Sequence, residues 1–343
     1  MMWNKNIVLS VIMPTLNSEK TIRIALESVK KQDFDKNLIE ILVIDGGSTD
    51  KTREIAQSYG AEIVENIEKL PEIAKYLGIQ KAKWKYAMFL DSDEELINNT
   101  SLSRRIDFLE NTLWCANIAP TWVLNPKGFP LLSDYINTFW EAFSFFIYDF
   151  YGDNYLQSSL EKYSYKKNKV WYVFSFSEND TKPILDGGSH TFDLSFLREH
   201  FKNEIENVAS MASIFTLCSG KTQSLWILED DFINHYSTSH ISWYLKKIKW
   251  RIVNNIFYPK VSGAGFSNRE IPFHIKFKKY LFIPYWFSIV FPLITSIGII
   301  IRKKHIFYLI HIYFAFYTAF NITFYMVWKL LKISPPELKT YWK

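Results

Sequence analysis

The chain has 343 residues, 48% hydrophobic and 22% charged, which excludes a disordered or solvating polymer and leaves room for one large domain plus an appendage. Lys and Arg number 40 against 35 Asp and Glu; a net charge of +5 is too weak to nominate nucleic acid as a partner, but it suits an anionic membrane surface or a phosphate-bearing ligand. Aromatic residues reach 17% and gather toward the C-terminus, which points to a membrane, while two cysteines, Cys115 and Cys218, make no disulfide framework or metal-ligand spacing and fit a reducing compartment.

Met1 to Ser10 lacks the long apolar core and small-residue cleavage site of a secretory signal, so the N-terminal part is expected to stay in the cytoplasm. Ile7 to Pro14 is a compact apolar run ending in proline and reads as a buried parallel strand. Asn17 or Ser18 can cap a helix whose Ile22, Ala25, Leu26 and Val29 recur at helical spacing. Ile39 to Ile44 is a second strand, stopped by Asp45-Gly46-Gly47-Ser48. A helix from about Asp50 to Tyr59 ends at Gly60. Ala61 to Val64 is a short third strand, and Pro71 suits the first turn of the next helix. Tyr86 to Leu90 is a fourth strand, closed by Asp91-Ser92-Asp93. Strand and helix alternate throughout, which predicts an α/β fold with a doubly wound, mostly parallel sheet.

Ligands of such sheets bind beyond the carboxyl ends of the strands. Three segments fall there: Pro14-Thr15-Leu16-Asn17, Asp45-Gly46-Gly47-Ser48 and Asp91-Ser92-Asp93. Two carboxylates with one residue between them can share a hard divalent cation, Mg2+ or Mn2+. A nucleotide diphosphate supplies further oxygens and needs its charge neutralised as it leaves. Asp-x-Asp is also common in turns, so its position after an apolar strand is what gives it meaning.

Val11-Ile12-Met13-Pro14-Thr15-Leu16-Asn17, Val43 to Asp50 and Phe89-Leu90-Asp91-Ser92-Asp93-Glu94 together resemble the family-2 glycosyltransferases of GT-A fold. Ala74 to Ala82 also resembles that family, which usually has Arg-Asn where this chain has Lys75-Tyr76; a lysine keeps the charge near a diphosphate but not the bidentate fork. The resemblance is strong over residues 8–95 and weaker to about 260. It implies that Asp45 meets the nucleotide base, typically uracil, that Pro14, Thr15 and Asn17 line the nucleotide pocket, that Lys75 lies near the diphosphate, and that Asp91 and Asp93 hold ribose and metal.

Inversion by direct displacement needs a general base near the acceptor hydroxyl. Two acidic stretches compete. Glu206 precedes a helical run and the Ser219-Gly220-Lys221 turn, where the family often has an acidic pair; here Asn207 replaces the second acid. Glu229-Asp230-Asp231 is the rival, and Glu206 is preferred. His235, in Asn234-His235-Tyr236, resembles a family histidine and is read as a third metal ligand or a diphosphate contact, with a hydrogen-bonded structural histidine as the plainer role. Asp186-Gly187-Gly188-Ser189-His190 offers close backbone approach and resembles a loop bordering donor sugar and acceptor; His190 has no assigned role.

The C-terminal part reads as membrane-attached. Tyr280 to Ile301 and His305 to Trp328 are each long and apolar enough to cross a hydrocarbon core, with Arg302-Lys303-Lys304 between them. If both cross, that basic link lies on the far side, against the positive-inside tendency; Pro284 and Pro292 allow the first to lie in the interface or re-enter instead. Two membrane segments are favoured. Upstream, Ile241, Tyr244, Leu245, Ile248, Ile252 and Ile256 form a helical stripe with Lys246, Lys247, Lys249 and Arg251 mostly off it, suited to anionic headgroups or to packing on the catalytic domain. The aromatic segment Leu131 to Tyr151 reads as a core helix or a membrane lip. Asn98-Asn99-Thr100, Asn179-Asp180-Thr181 and Asn321-Ile322-Thr323 match glycosylation acceptors, the first two by chance if the domain is cytoplasmic.

The expected organisation is a GT-A domain over 1–240, divided into nucleotide-binding (1–95) and acceptor (96–240) halves, an amphipathic segment 241–279, two hydrophobic segments over 280–331 and a polar tail 332–343. The expected activity is metal-dependent sugar transfer, with inversion, from a nucleotide-diphosphate sugar, UDP favoured, to a lipid carrier or lipid-linked glycan at the cytoplasmic membrane face. A processive polysaccharide synthase would share the front half, but of the Gln-x-x-Arg-Trp signature of such enzymes Lys246-Lys247-Ile248-Lys249-Trp250 keeps only the Trp and a basic neighbour. A nucleotidyltransferase could use the same sheet and paired aspartates, and an inactive membrane scaffold could retain the transferase fold.

Overall fold

The computed structural model describes residues 9–112, 115–148, 163, 165–177, 189–258 and 277–334. Ile7 and Val8, Phe150 and Tyr151, Asn179-Asp180-Thr181, the glycines of Asp186-Gly187-Gly188, residues 259–276 and the tail from 335 lie outside them. The chain divides into two compact units. The first holds residues up to Leu124 together with Tyr163–Tyr236; the second holds Asn125–Lys162 and the residues from Ser237 onward. The boundary between them falls at 236/237, and the aromatic segment after Asn125 belongs to the second unit.

The first unit is built on strands β1 (Leu9–Thr15), β2 (Ile39–Asp45), β3 (Glu62–Glu65), β4 (Tyr86–Phe89), β5 (Glu94–Leu96), β6 (Asn117–Ala119), β7 (Trp122–Leu124), β8 (Tyr165–Lys167), β9 (Trp171–Ser175), β10 (Thr191–Asp193), β11 (Ser224–Leu228) and β12 (Phe232–His235). Nine form one sheet in the order β3-β2-β1-β4-β10-β6-β11-β9-β8, and β5-β12-β7 form a second. In the large sheet β3, β2, β1 and β4 are mutually parallel; only β10 and β9 run against the rest, so seven of nine strands share one direction. The predicted mostly parallel sheet is the one observed.

Two cores explain why the strands read as unbroken apolar runs. Leu9, Val11, Met13, Ile41, Val43, Tyr86 and Met88 face one core, with helix Ile22–Lys30 on it. Ile12, Leu42, Ile44, Ala87 and Phe89 face the other, which includes Ala74 and Ile79 of helix Pro71–Lys81. Both sides of a central strand are buried, so alternation disappears from its sequence. Helix 71–81 lies close on β1 at Gly78, where an added Cβ would stand 2.2 Å from Ile12 Cγ2. Pro71 occupies the first turn, and Gly60 (φ +75) follows helix Thr52–Ser58, both as predicted. The expected cap is different: helix 22–30 starts from Thr21, whose amide and that of Ile22 donate to the Ser18 carbonyl, and the Asn17 side chain serves another loop.

The second unit packs helices Leu131–Phe139, Ala142–Tyr148, Ile241–Phe257, Phe282–Phe287, Val290–Lys303 and Ile310–Leu330 around Tyr135, Phe139, Tyr244, Ile248, Ile252 and Phe314. From Tyr244 onward the predicted stripe of helix 241–257 is the packed face, while Ile241 at its start is exposed; its partner is helix 310–330 of the same unit, with Tyr244 meeting Phe314 at 4.7 Å between ring centroids. Among the described residues one helix, Ile306–Leu330, is long and apolar enough to cross a membrane. The other predicted segment is broken into Lys279–Phe287 and Val290–Lys303, bent by 93°.

Candidate active site

The three strand-end segments come together. Thr15 and Asp45 are paired at the ends of β1 and β2, and the Gly46 amide donates to the Thr15 carbonyl (2.8 Å). Asn17, at φ +50, gives its amide N–H to Ser48 Oγ (2.8 Å) and accepts from the Thr49 amide at Oδ1 (2.9 Å). A residue with a short polar side chain tolerates that left-handed backbone. Ser92, the middle residue of Asp91-Ser92-Asp93, then donates to Ser18 Oγ (2.9 Å). A continuous hydrogen-bonded path therefore joins the paired-aspartate turn to the Asp45 loop through residues 17 and 18.

Asp45 is 1% exposed, and its own loop encloses it. Its carboxylate accepts from the Gly47 and Ser48 amides and the Ser48 hydroxyl, with Arg53 Nη1 at 3.6 Å. Gly47 has φ +83, which favours glycine there, and Lys69 reaches to 3.9 Å from where its Cβ would stand. Thr15 is buried and donates to the Met13 carbonyl (3.0 Å). Lys75 places its ammonium over the Phe89 ring, 5.2 Å from the centroid, two residues before Asp91.

Asp91 and Asp93 are both partly exposed, the Asp93 side chain at 36%. Asp91-Ser92-Asp93-Glu94 is a tight turn: the Glu94 amide donates to the Asp91 carbonyl (2.9 Å), and the Asp91 amide donates back to Glu94 Oε2 (3.0 Å). Glu94 is 4% exposed. Burial, with the Asp91 charge adding, pushes its carboxyl up to about 8. Across the small sheet Glu94 is in register with His235, whose Nε2 lies 3.4 Å from Asp93 Oδ2. The Tyr236 amide donates to the Asp93 carbonyl (2.8 Å). The expected trio Asp91, Asp93 and His235 is not assembled as a protein-only metal site: no group of three His, Cys, Asp or Glu able to hold a metal occurs among the described residues. Two partly exposed carboxylates beside a buried third are oxygen donors of the kind that fits a hard cation whose remaining ligands come from a phosphate or water.

The rival bases separate by burial. Asp231 is 0% exposed; Oδ2 accepts from Arg105 Nε (2.6 Å) and Oδ1 from Ser101 Oγ (2.6 Å). Arg105, also 0% exposed, donates further to the Ser189 carbonyl and Thr191 Oγ1. Asp231 is thus a structural anchor with no face left for an acceptor hydroxyl, which corrects its candidacy as a base. Asp230 sits in the turn at φ +57, its carbonyl taken by Asn98. Glu229 is bound to Lys167 Nζ (2.8 Å) and the Tyr172 hydroxyl. Glu206, at the C-terminal end of helix Lys202–Ile205, is exposed, and no hydrogen bond or ion pair joins it to Asp91, Asp93 or Asp45. His190 is buried against Phe215 (4.0 Å between centroids), and burial, then Arg105 and Lys75, hold its imidazole down at about 3.

Three participants escape a reading of the sequence: Glu94, Arg105 and the Ser18–Ser92 link. Glu94 gave no signal of its own: Glu94-Glu95-Leu96 does not alternate in sequence, and only the strand's burial puts Glu94 on the side of Leu96.

Residues 10–119 match the family described as "Glycosyl transferase family 2". They form a glycosyl transferase family 2 domain. The domain contains every strand-end segment described above. The chain is 35% identical over 107 residues to the poly(ribitol-phosphate) beta-N-acetylglucosaminyltransferase TarS of Staphylococcus aureus, a match over 29% of this chain and 18% of that protein. It is 32% identical over 97 residues to the GalNAc(5)-diNAcBac-PP-undecaprenol beta-1,3-glucosyltransferase of Campylobacter jejuni, covering 26% and 31%. The chain thus spans well under half the length of these relatives. Among solved structures, the mannosyltransferase PcManGT of Pyrobaculum calidifontis, in complex with GDP-Man and Mn2+, superposes with a TM-score of 0.55 at 14% identity over 94% of this chain and 87% of that one, a likeness of fold. The family 2 domain is thus set in a GT-A-type fold.

Proposed function

We propose that the protein is a glycosyltransferase that moves a sugar from a nucleotide-diphosphate sugar, a UDP-sugar by preference, to a lipid carrier or lipid-linked glycan at the cytoplasmic membrane face, with inversion. The observation that carries this reading is the hydrogen-bonded path from Asp91-Ser92-Asp93 through Ser18 and Asn17 to the Asp45 loop, which suits base, ribose and diphosphate contacts at one end of the sheet. The names of the relatives support a sugar donor, and that of the Campylobacter protein a lipid-diphosphate acceptor.

In this reading Pro14, Thr15, Asn17 and the Asp45 loop receive the base, and Asp91 orients the ribose. Asp91 and Asp93 hold Mg2+ or Mn2+, which supplies charge neutralisation to the departing diphosphate. Lys75 adds a point charge on the same side. His235 steadies Asp93 through their contact. Glu206, exposed at its helix end, takes the proton of the attacking hydroxyl.

The test is a panel of labelled nucleotide sugars incubated with membranes carrying the protein, with label followed into the lipid extract. Asp93→Asn should abolish transfer while the protein keeps its wild-type melting profile. Undiminished transfer by that variant overturns the site assignment; release of pyrophosphate in place of a nucleoside diphosphate overturns the reaction class.

A further inference from the structure

The C-terminal unit carries a surface whose chemistry is that of a membrane, but its helices are arranged against crossing one. Of the 29 exposed large apolar side chains among the described residues, 22 fall between Phe277 and Ile333. A soluble core would bury them.

Helix 310–330 has two opposed faces. Tyr313, Phe316, Phe320, Phe324 and Val327 recur three or four residues apart and are all exposed, and Leu331 continues the row. His311, Phe314, Thr318 and Tyr325 are buried on the opposite side, where helix 241–257 packs. That packing runs the length of the helix, from Tyr244 on Phe314 to Lys329 Nζ on the Ile256 carbonyl (2.6 Å). Helix 241–257 carries Lys246, Lys247, Lys249 and Arg251; Lys246 and Lys249 are exposed, and Lys249 Nζ is 5.9 Å from the Tyr325 ring centroid. A transbilayer placement of helix 310–330 would drag these four charges into hydrocarbon. Each charge near the midplane weakens insertion by roughly a hundredfold. Lying in the interface buries the same apolar row and leaves the charges at the water side.

The bent pair fits the same placement. Its tip, Phe287, Ile289, Val290 and Phe291, is 72%, 61%, 58% and 58% exposed. Its two ends are basic, Lys278 and Lys279 at one and Arg302 and Lys304 at the other, while Lys303 is paired inward with Asp134 (3.3 Å). The Tyr285 hydroxyl donates to Thr295 Oγ1 (2.9 Å) across the bend. A wedge with an apolar tip and two basic ends enters one leaflet and returns to the same headgroup layer. The conflict of a basic link on the far side of the membrane then vanishes.

We propose that the C-terminal unit is a monotopic membrane-binding module: helix 310–330 and the bent pair bury their apolar faces in one leaflet of an anionic phospholipid bilayer, with the basic residues at its headgroups, and no segment from 277 to 333 crosses. This placement stands whether or not the proposed transfer reaction does, because its test needs no turnover. Lys304→Cys and Ile333→Cys, at the two ends of helix 306–330, are expressed separately in full-length protein in bacterial inner membranes and treated with a membrane-impermeant maleimide, with the parent chain as background. Both should be labelled in inverted vesicles and neither in spheroplasts. Labelling from opposite sides overturns the proposal. Flotation of the wild-type chain needs no variant and decides the matter should neither cysteine react: the chain should rise with vesicles of phosphatidylcholine plus 30 mol% phosphatidylglycerol (a composition of about the usual bacterial anionic content) at least tenfold more than with phosphatidylcholine alone. The triple variant Lys246→Gln, Lys247→Gln, Lys249→Gln should lower that partition by about a hundredfold. Equal partition onto both vesicles, or a chain that stays at the bottom as a self-associated species, overturns it as well.

Discussion

Replacing Arg105 by Met should destabilise the first unit severely. Arg105 and Asp231 are both 0% exposed and joined at 2.6 Å, so the truncation leaves a carboxylate buried without its cation. Removing one partner of such a pair costs about 3–5 kcal/mol. The Ser101 hydroxyl still donates to Asp231, which favours the lower end. Against a total of about 5–15 kcal/mol for a domain, that is a large fraction. At about 2–4 °C per kcal/mol for a domain of roughly 200 residues, the melting temperature should fall by about 6–20 °C. Replacing both residues, Arg105→Met with Asp231→Leu, removes the stranded charge and should recover much of the loss. Glu206→Gln is an exposed change and should stay within about 0.5 kcal/mol of wild type. Urea and thermal unfolding of the full-length chain in detergent, followed by tryptophan fluorescence, measures all three against wild type, and lipid-extract transfer is read at a temperature where each is folded. An Arg105→Met protein within about 1 kcal/mol of wild type, or a double variant no more stable than the single, would refute the anchoring argument. An Asp231→Asn protein of wild-type stability that has lost all transfer would return Asp231 to candidacy as the base.

Two further changes probe the packing behind the site. Gly78→Ala puts a Cβ 2.2 Å from Ile12 Cγ2 and should cost about 1–3 kcal/mol while raising the donor KM, since helix 71–81 carries Lys75; Gly60→Ala, strained only by its φ of +75 with nothing within 4 Å, should cost about 1 kcal/mol and leave KM alone. Equal KM values for the two, measured with the preferred nucleotide sugar, would detach Lys75 from the donor. His190 titrates at about 3 when folded and near 6.5 when unfolded, so the unfolded chain takes up the proton first and stability falls as pH drops through that window. Glu94, held up at about 8, acts in the opposite direction over the same range, so the His190 contribution is read as a difference: between pH 7.5 and 5 the wild type should lose about 2 kcal/mol relative to His190→Phe, and parallel acid limbs in urea titrations of the two proteins would show that His190 contributes nothing.

The parallel half of the sheet was legible because it rests on local rules. Apolar runs of four to seven residues, closed by Pro14, by Asp45-Gly46 and by Asp91, carry their own boundaries. The second half was harder for a physical reason. β6, β7 and β10 have three residues each, too few for any period to show, and β10 enters between β4 and β6 from far along the chain. Likewise Leu131 to Tyr148 reads as an aromatic core helix whichever unit supplies the core. Only tertiary packing assigns Tyr135 and Phe139 to the C-terminal unit. The cap at Asn17 failed because a local rule met a stronger nonlocal demand: its amide side chain closes the Thr49 loop, 32 residues away.

The carboxylates of the first unit are sorted by what the chain has already done to satisfy them. Asp231 is committed to Arg105 and Ser101, Glu229 to Lys167 and Tyr172, and Asp45 to its own loop. Each could be named an acid or a ligand from sequence, because residue type does not reveal a partner 57 or 126 positions away. Asp91 and Asp93 differ in kind. The turn that carries them satisfies its backbone through Glu94 and Tyr236 and leaves the two side chains partly exposed, so the proposed cation contact would draw on the turn itself. Glu94 adds to the contrast: it is a third carboxyl of the same turn, 4% exposed, and burial with the Asp91 charge pushes it toward the neutral form, so it puts less negative charge beside the pair than a solvated glutamate would.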